Sequence, residues 1–441
     1  MKENATRVVW ALAWPAVALN GLQTLNALLD TFFVGHLQSA ALTAMGATVN
    51  VMFLFFSLAM TIGTAATAIV SRAYGAKDQE EMVLGATKAT GLATIAGLVM
   101  AGITVLVIPF ATSFLLPTGA GEAKKLMAIY LGIYATALPA IYVIQSLAGS
   151  LRAIGDTKSP MVISGIQILL HMLMNFLFIR VFNMGLAGAG LSLSLSAWFS
   201  VLGYLAFMPR TPLGSLWRIR PPGMDWARRL LRIALPAALM SALRVFSLIA
   251  FTIVLKYTAN GEAAIGAMRV AFSIEPIMFM PAFGLSVSAA TLVGQSLGMK
   301  KPDRAEKLAW TAGHHGALIA VIMAIPVFFF AEPIAMGLTG GKVAMAQEAA
   351  NLLRWLSVTE AFFAYGMVMT GAMQGAGETK LPLWITIFSM WLVRTPLSYI
   401  LALPLAMGPT GAWIGMSVSQ MIAGGLSAWG FSRGSWKTQT V

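Results

Sequence analysis

The chain is 441 residues long, 58% hydrophobic and only 10% charged, with a formal net charge of +13 and no cysteine. That charge is too small to solvate a globular surface of this size, and the apolar content is too large for one soluble core, so composition excludes a soluble domain and points to a multi-pass membrane protein. The missing cysteines exclude disulfides, thiol redox chemistry and cysteine-ligated metals.

Taken in chain order, apolar runs long enough to cross a hydrocarbon slab of about 30 Å as helices fall near 8–34, 42–70, 88–112, 126–149, 160–179, 186–208, 233–255, 264–291, 308–330, 347–371, 381–402 and 408–430. Strict apolar/polar alternation of the barrel kind is absent, which leaves helices as the way to satisfy the backbone in lipid. The first run continues past residue 30 without a small-x-small cleavage site, so it reads as a retained span and not as a signal peptide. Within it, NGLQTLNALLDTFFVG carries Asn20, Gln23, Asn26 and Asp30. At about 100° per residue, Gln23, Asn26 and Asp30 share an arc of about 60° with Asn20 at its border, giving one polar stripe on an apolar cylinder. A carboxylate at bilayer depth costs about 2.5–3.5 kcal/mol on insertion scales, so Asp30 is expected to face a polar cleft as a proton or cation site, or to hydrogen-bond a neighbouring helix. Pro15 frees a carbonyl and permits bending of the same helix.

The loops divide by charge. Twenty basic residues, from Lys2 and Arg7 through Arg228, Arg229 and Arg232 to Arg433 and Lys437, fall on the side that holds both termini, against Lys124, Lys125, Arg180, Lys256 and Lys342 on the other. The positive-inside rule then predicts a cytoplasmic (inner) membrane protein with both termini in the cytoplasm. The net charge reads as topogenic charge facing anionic lipid, with no nucleic-acid partner, because no soluble basic domain or arm carries it.

The chain repeats itself. GSLRAIGDTKSP (149–160) answers GAMQGAGETKLP (371–382), with Gly149, Gly155, Thr157, Lys158 and Pro160 recurring 222 residues on. LAWPAVA around Pro15 answers IALPAAL around Pro236, VSRAYGAK around Gly75 answers VGQSLGMK around Gly298, and GLAGAGLSLS from Gly185 answers GPTGAWIGMS from Gly408. Four ordered matches predict an all-α polytopic protein of twelve transmembrane helices in two parallel six-helix halves, related by a pseudo-two-fold axis along the membrane normal. The expected lobes are 1–208 and 230–441, joined by a basic cytoplasmic linker at 209–229.

Other charges within the predicted spans are Arg244, Arg269, Glu275, Arg354, Glu360 and Arg394; Arg244 is expected to pair with Glu275 or Glu360, since an unpaired charge there is costly. Methionine is abundant at 28 residues, and Met172, Met240, Met278 and Met367, with Met174, Met280, Met369 and Met373, are expected to border the cleft. Flexible thioethers beside aromatic faces suit varied lipophilic cations, although lipid-facing filler accounts for part of the set. HExxH and GxxxxGK[ST] motifs are absent and GLAGAGLSL lacks the third glycine of a dinucleotide loop, so no enzyme, cofactor or ATP site is expected and transport must draw on an ion gradient or run passively.

The first helix ending LLDTFFVGHL, the VSRAYGAKD and TLVGQSLGMKKPDRAEK segments, and the twin GDTKSP and GETKLP motifs together resemble the MATE family of multidrug and toxic-compound extruders, most closely its DinF-like branch, over essentially the whole length. The resemblance implies a monomeric secondary antiporter that exports small amphipathic or cationic organic compounds by alternating access, with its coupling carboxylate at Asp30 and bending at Pro15. Two departures bear on the ion. Where relatives carry Asn and Asp four residues apart in the fifth helix, this chain has His171 and Asn175; where a sodium-coupled branch has a seventh-helix glutamate, it has Arg244. Both argue for protons over sodium, with His171 as helper. A sodium-coupled extruder and a lipid-linked oligosaccharide flippase of the same superfamily remain as alternatives, the latter favoured by a cationic cleft.

Overall fold

The structure is a computed structural model that describes residues 4–35, 37, 39–214, 219 and 221–440; Lys2, Arg218 and Arg220 of the basic loop set lie outside them. Its helices follow the apolar runs: α1 (Ala5–Gly35), α2 (Ser39–Ala76), α3 (Gln79–Leu115), α4 (Gly121–Ala153), α5 (Lys158–Asn175), α6 (Gly185–Phe207), α7 (Met224–Lys256), α8 (Gly261–Gly298), α9 (Pro302–Phe329), the short α10 (Ala331–Leu338), α11 (Val343–Gly375), α12 (Lys380–Thr386), α13 (Thr395–Ala402) and α14 (Gly408–Ser432). A π-helical turn, Phe176–Val181, extends α5, and another, Ile387–Arg394, joins α12 to α13 into one rod. Each of the twelve predicted spans therefore has its helix. Among the described residues, ten helices are long and apolar enough to cross a membrane on their own. The other two rods, α11 and α14, are long enough, but α11 bears Glu348, Arg354 and Glu360 and α14 is rich in Gly and Ser.

The chain forms two compact units, Met1–Val17 with Pro236–Val441, and Ala18–Leu235. The loop boundaries at 208 and 230 follow the repeat, whereas these packing joints lie inside helices, beside the paired prolines Pro15 and Pro236. In the first unit, Val9 and Ala13 of α1 share a core with Ala282, Leu285 and Ala289 of α8, and Ser288 Oγ donates to Val9 O at 2.9 Å. In the second, the first turns of α7 and the preceding loop are tied to α3 by Arg229–Glu81 (2.5 Å) and by Lys88 Nζ donating to Pro221 O (3.2 Å). A proline lacks the N–H that would lock its turn to the preceding one, which suits it to a place where a helix changes packing partners.

The repeat is equally visible in backbone detail. After α4, Gly155 (φ 92°) ends the helix with Gly155 N donating to Arg152 O (2.9 Å) and Asp156 N to Leu151 O (3.0 Å); after α11, Gly377 (φ 88°) does so through Gln374 O and Met373 O, both at 2.9 Å. The next residue caps the following helix. Asp156 accepts from Ser159 N (2.9 Å), and Glu378 Oε1 accepts from Lys380 N (3.1 Å) and Leu381 N (3.0 Å). The twin GDTKSP and GETKLP motifs are thus helix-to-helix turns: glycine supplies the left-handed backbone and the acid supplies the cap. Helix approach repeats as well. Gly149 of α4 lies on Gly63 of α2, and Gly371 of α11 on Ser286 of α8.

A Cβ placed on Gly149 would lie 2.5 Å from the Gly63 carbonyl oxygen, whereas one on Gly102 meets nothing within 4 Å. Gly149→Ala should therefore destabilise the protein by about 1–3 kcal/mol, read as a lowered midpoint in thermal unfolding of the detergent-solubilised protein, while Gly102→Ala leaves it unchanged or slightly raised.

Candidate functional site

Asn26 and Asp30 are one turn apart on α1, and His171 and Asn175 are one turn apart on α5, so each helix presents two polar side chains on one face. The two pairs meet. Asn175 Nδ2 donates to Asp30 Oδ1 at 2.6 Å, Asn26 Nδ2 lies 3.4 Å from Asp30 Oδ2, and His171 Nδ1 is 3.0 Å from Asn26 Oδ1. An amide oxygen only accepts, so Nδ1 of His171 carries the proton and Nε2 is left as the acceptor, 3.5 Å from Asn175 Nδ2 and 3.7 Å from Asp30 Oδ1. His171 and Asn175 are buried and Asp30 is half-buried, its side chain 24% exposed.

Ser192 of α6 locks the arrangement. Its hydroxyl is shared between Asn175 Oδ1 (2.5 Å) and Ala189 O (2.8 Å), which pins the Asn175 carbonyl and turns its NH₂ toward Asp30. Asn175 is the last α-helical residue before the π-helical turn, and such turns recur where a side chain must be re-aimed. Tyr130 of α4 is buried close to Asp30 and packs on Gly190 of α6, where a Cβ would sit 3.3 Å from its ring.

Other members of the predicted stripe do not join this network. Gln23 is exposed, and Asn20 is buried with its Nδ2 unpartnered among the described residues. The carbonyl of Asn20 accepts from Thr24 Oγ1 (3.1 Å). Pro15 lies buried two residues before the joint between units.

The second-half charges correct several expectations. Arg244 does not pair with Glu275 or Glu360: it is exposed, and its Nη2 lies 3.9 Å from Met240 Sδ one turn away. The guanidinium facing Glu275 is that of Arg394, which ends the second π-helical turn and donates from Nε to Ser419 Oγ at 2.9 Å. Gln420, which accepts from Thr359 at 2.9 Å, also faces Glu275. Glu360 is fully buried near Glu275, with neither carboxyl oxygen partnered among the described residues. Arg269 and Arg354 are exposed, and Arg354 pairs with Glu332 of α10 at 3.7 Å. Met278 belongs to the packed core between α8 and α11 and lines no surface, like Met369 and Met373, because helices in contact fill their interface with flexible side chains. Met240 is also buried; Met172 and Met367 are half-buried. Among the described residues no three His, Cys, Asp or Glu gather as metal ligands.

The Ser192 bond generates a prediction. Ser192→Ala removes the hydroxyl that, among the described residues, fixes the buried Asn175 carbonyl and should cost about 1–2 kcal/mol of stability, whereas Ser192→Thr restores it; thermal unfolding of the two purified variants checks this.

Comparisons with known proteins agree with this architecture. The family model described as MatE matches residues 15–177 and again 236–400, a displacement of 221 residues at the start and 223 at the end, so each half of the repeat is matched separately. A probable multidrug resistance protein NorM of Thermotoga maritima is 27% identical over 98% of this chain and 93% of its own length. The multidrug resistance protein MdtK of Edwardsiella ictaluri is 27% identical over 93% of this chain and 92% of its own. A crystal structure of a MATE protein in complex with MaL6 superposes with a TM-score of 0.92 at 23% identity, covering 100% of this chain and 98% of that one. With both halves matched by the family model and the fold shared end to end, the chain belongs to the MATE family of multi-pass membrane transporters.

Proposed function

We propose that this protein is a proton-coupled antiporter of the cytoplasmic membrane, with both termini in the cytoplasm, which exports amphipathic organic compounds by alternating access. The observation that carries the reading is the single carboxylate of Asp30 held by Asn26 and Asn175 with His171 behind them. Among the described residues, the side chains bonded to Asp30 are neutral in this arrangement, which favours a proton as the charge exchanged. An ionised Asp30 accepts from both amides; a protonated Asp30 has a hydrogen to donate, and the oxygen that carries it accepts more weakly. The longer bond, to Asn26 at 3.4 Å, is the weaker and the first to be given up, which leaves Asn26 held by His171 Nδ1 alone. Protonation in this way loosens the polar network within α1, while Asn175 and His171 still join it to α5.

The same geometry supports protons over sodium. A hard cation such as sodium is held by several oxygens, and at Asp30 an amide stands where the resemblance places a second carboxylate, presenting its nitrogen and not its oxygen. The relatives' names, which speak of multidrug resistance, support varied organic compounds as substrates.

Purified protein in liposomes loaded with ethidium tests this, with sodium replaced by choline. Acid outside should drive ethidium out as protons enter, and Asp30→Asn, which keeps the shape of the site but cannot exchange a proton, should reduce the flux to that of empty liposomes. Flux that follows a sodium gradient, or survives in Asp30→Asn, would refute the assignment.

A further inference from the structure

The second half of the repeat departs from the first in a way that points to a ligand. Arg244 stands at the midpoint of the apolar stretch 233–255 of α7, eight residues after Pro236. A guanidinium at that depth is about 15 Å from either interface, beyond the reach of its own stem, so its exposed surface must face water and not lipid. Among the described residues no carboxylate lies within ion-pair distance of it; its nearest polar contact is the Met240 thioether at 3.9 Å.

The surrounding charges do not supply a counter-ion. Glu275 faces Arg394 and Gln420, and is engaged by them. Glu360 is fully enclosed and lies near Glu275. Arg394 is itself buried, tied to Ser419 and close enough to Arg244 to repel it. Two guanidiniums therefore approach one another, one enclosed and spoken for, the other open and unmatched. Trp391, on the π-helical turn that carries Arg394, donates to Leu243 O at 3.3 Å and so brings an aromatic surface against the residue before Arg244.

We infer that Arg244, with Arg394 behind it and the Trp391 and Met240 side chains beside it, forms a subsite for the anionic group of an amphipathic substrate, a carboxylate, sulfonate or phosphate on an apolar body. This deepens the reading above, since it rests on the export of amphipathic compounds and names zwitterions and organic anions as the class preferred over simple cations. A planar guanidinium open to water offers paired N–H donors to such a group, and the buried Arg394 adds positive potential without competing for the contact. The anionic group can belong to a soluble amphiphile or to a lipid headgroup, and the two sources are distinguishable.

Equilibrium binding without any gradient tests the subsite independently of coupling. Dansylglycine, which carries a carboxylate, and dansylglycinamide, which does not, are titrated into protein in phosphatidylcholine nanodiscs at neutral pH. The acid should bind at least about tenfold more tightly than the amide. Arg244→Gln should abolish that preference and Arg244→Lys should keep part of it. Equal affinities on the native protein, or a preference that persists in folded Arg244→Gln, would overturn the assignment; the native comparison stands even where the variant fails to fold. Repeating the titration with phosphatidylglycerol in the discs identifies the source: weakened dansylglycine binding in the native protein alone assigns the subsite to lipid headgroups, and unchanged binding assigns it to soluble amphiphiles.

Discussion

A carboxylate carried into a hydrocarbon slab must be given hydrogen-bond donors, and the arrangement of the unit formed by Ala18–Leu235 follows from meeting that need at Asp30. Two donors come from amides, Asn26 one turn away on the same helix and Asn175 on α5. Neither amide would present its nitrogen reliably by itself, since an Asn side chain offers oxygen and nitrogen with nearly the same shape. Their orientation is imposed from outside, by His171 Nδ1 on Asn26 Oδ1 and by Ser192 on Asn175 Oδ1. Four helices are thereby committed to one side chain: α1 carries it, α5 donates to it, α6 fixes the donor, and α4 closes over it with Tyr130. The bonds differ in length, 2.6 Å from Asn175 and 3.4 Å from Asn26, so the network has a strong anchor and a weak link.

Duplication supplied the frame and divergence the chemistry. The turns after α4 and α11, the close approach of Gly149 to Gly63 and of Gly371 to Ser286, and the left-handed residues Lys77 and Lys300 are shared between halves, because each solves a packing or chain-reversal problem that both halves have. The polar centres are not shared. At the positions 223 residues beyond Asn175 and Ser192 stand Ser398 and Gly415, which pack directly on one another and carry no amide network. Polar weight in the second half moves instead to Arg244, Glu275, Glu360 and Arg394, with the π-helical turn Ile387–Arg394 aiming the last of these. One half holds Asp30 among neutral donors; the other sets Arg394 beside Glu275, with Glu360 enclosed and, among the described residues, no carboxylate paired with Arg244.

The amino-acid pattern made the spans, the repeat and Asp30 legible for one reason: in a bilayer the cost of a charge or an unpaired backbone group is so large that exceptions stand out. Where the energetic contrast is small, the pattern was silent or misleading. Gln23 shares the arc of Asn26 and Asp30 by angle, yet it is exposed while Asn26 is engaged, because a shared arc says nothing of where a neighbouring helix ends its contact. Met278 and Met240 look alike in sequence to Met172 and Met367, and only packing separates a buried thioether from a half-buried one. Ser192 went unnoticed among the alternating serines of GLSLSLS, since a helical serine usually bonds its own preceding turn; its second contact, to Asn175, depends on how α5 and α6 meet. Arg244 is expected to find a carboxylate because an unpaired charge is costly, but the guanidinium facing Glu275 is that of Arg394, on a π-helical turn that no hydrophobic periodicity reveals.

The central claim is that one carboxylate exchanges a proton for substrate. Proton release measured with a pH-sensitive dye, on adding ethidium to detergent-purified protein in weakly buffered solution, tests it without membranes or gradients. The account predicts that protons leave the protein in proportion to the ethidium bound and that Asp30→Asn releases none. Ethidium binding without proton release, or release from Asp30→Asn equal to that of the native protein, would contradict it.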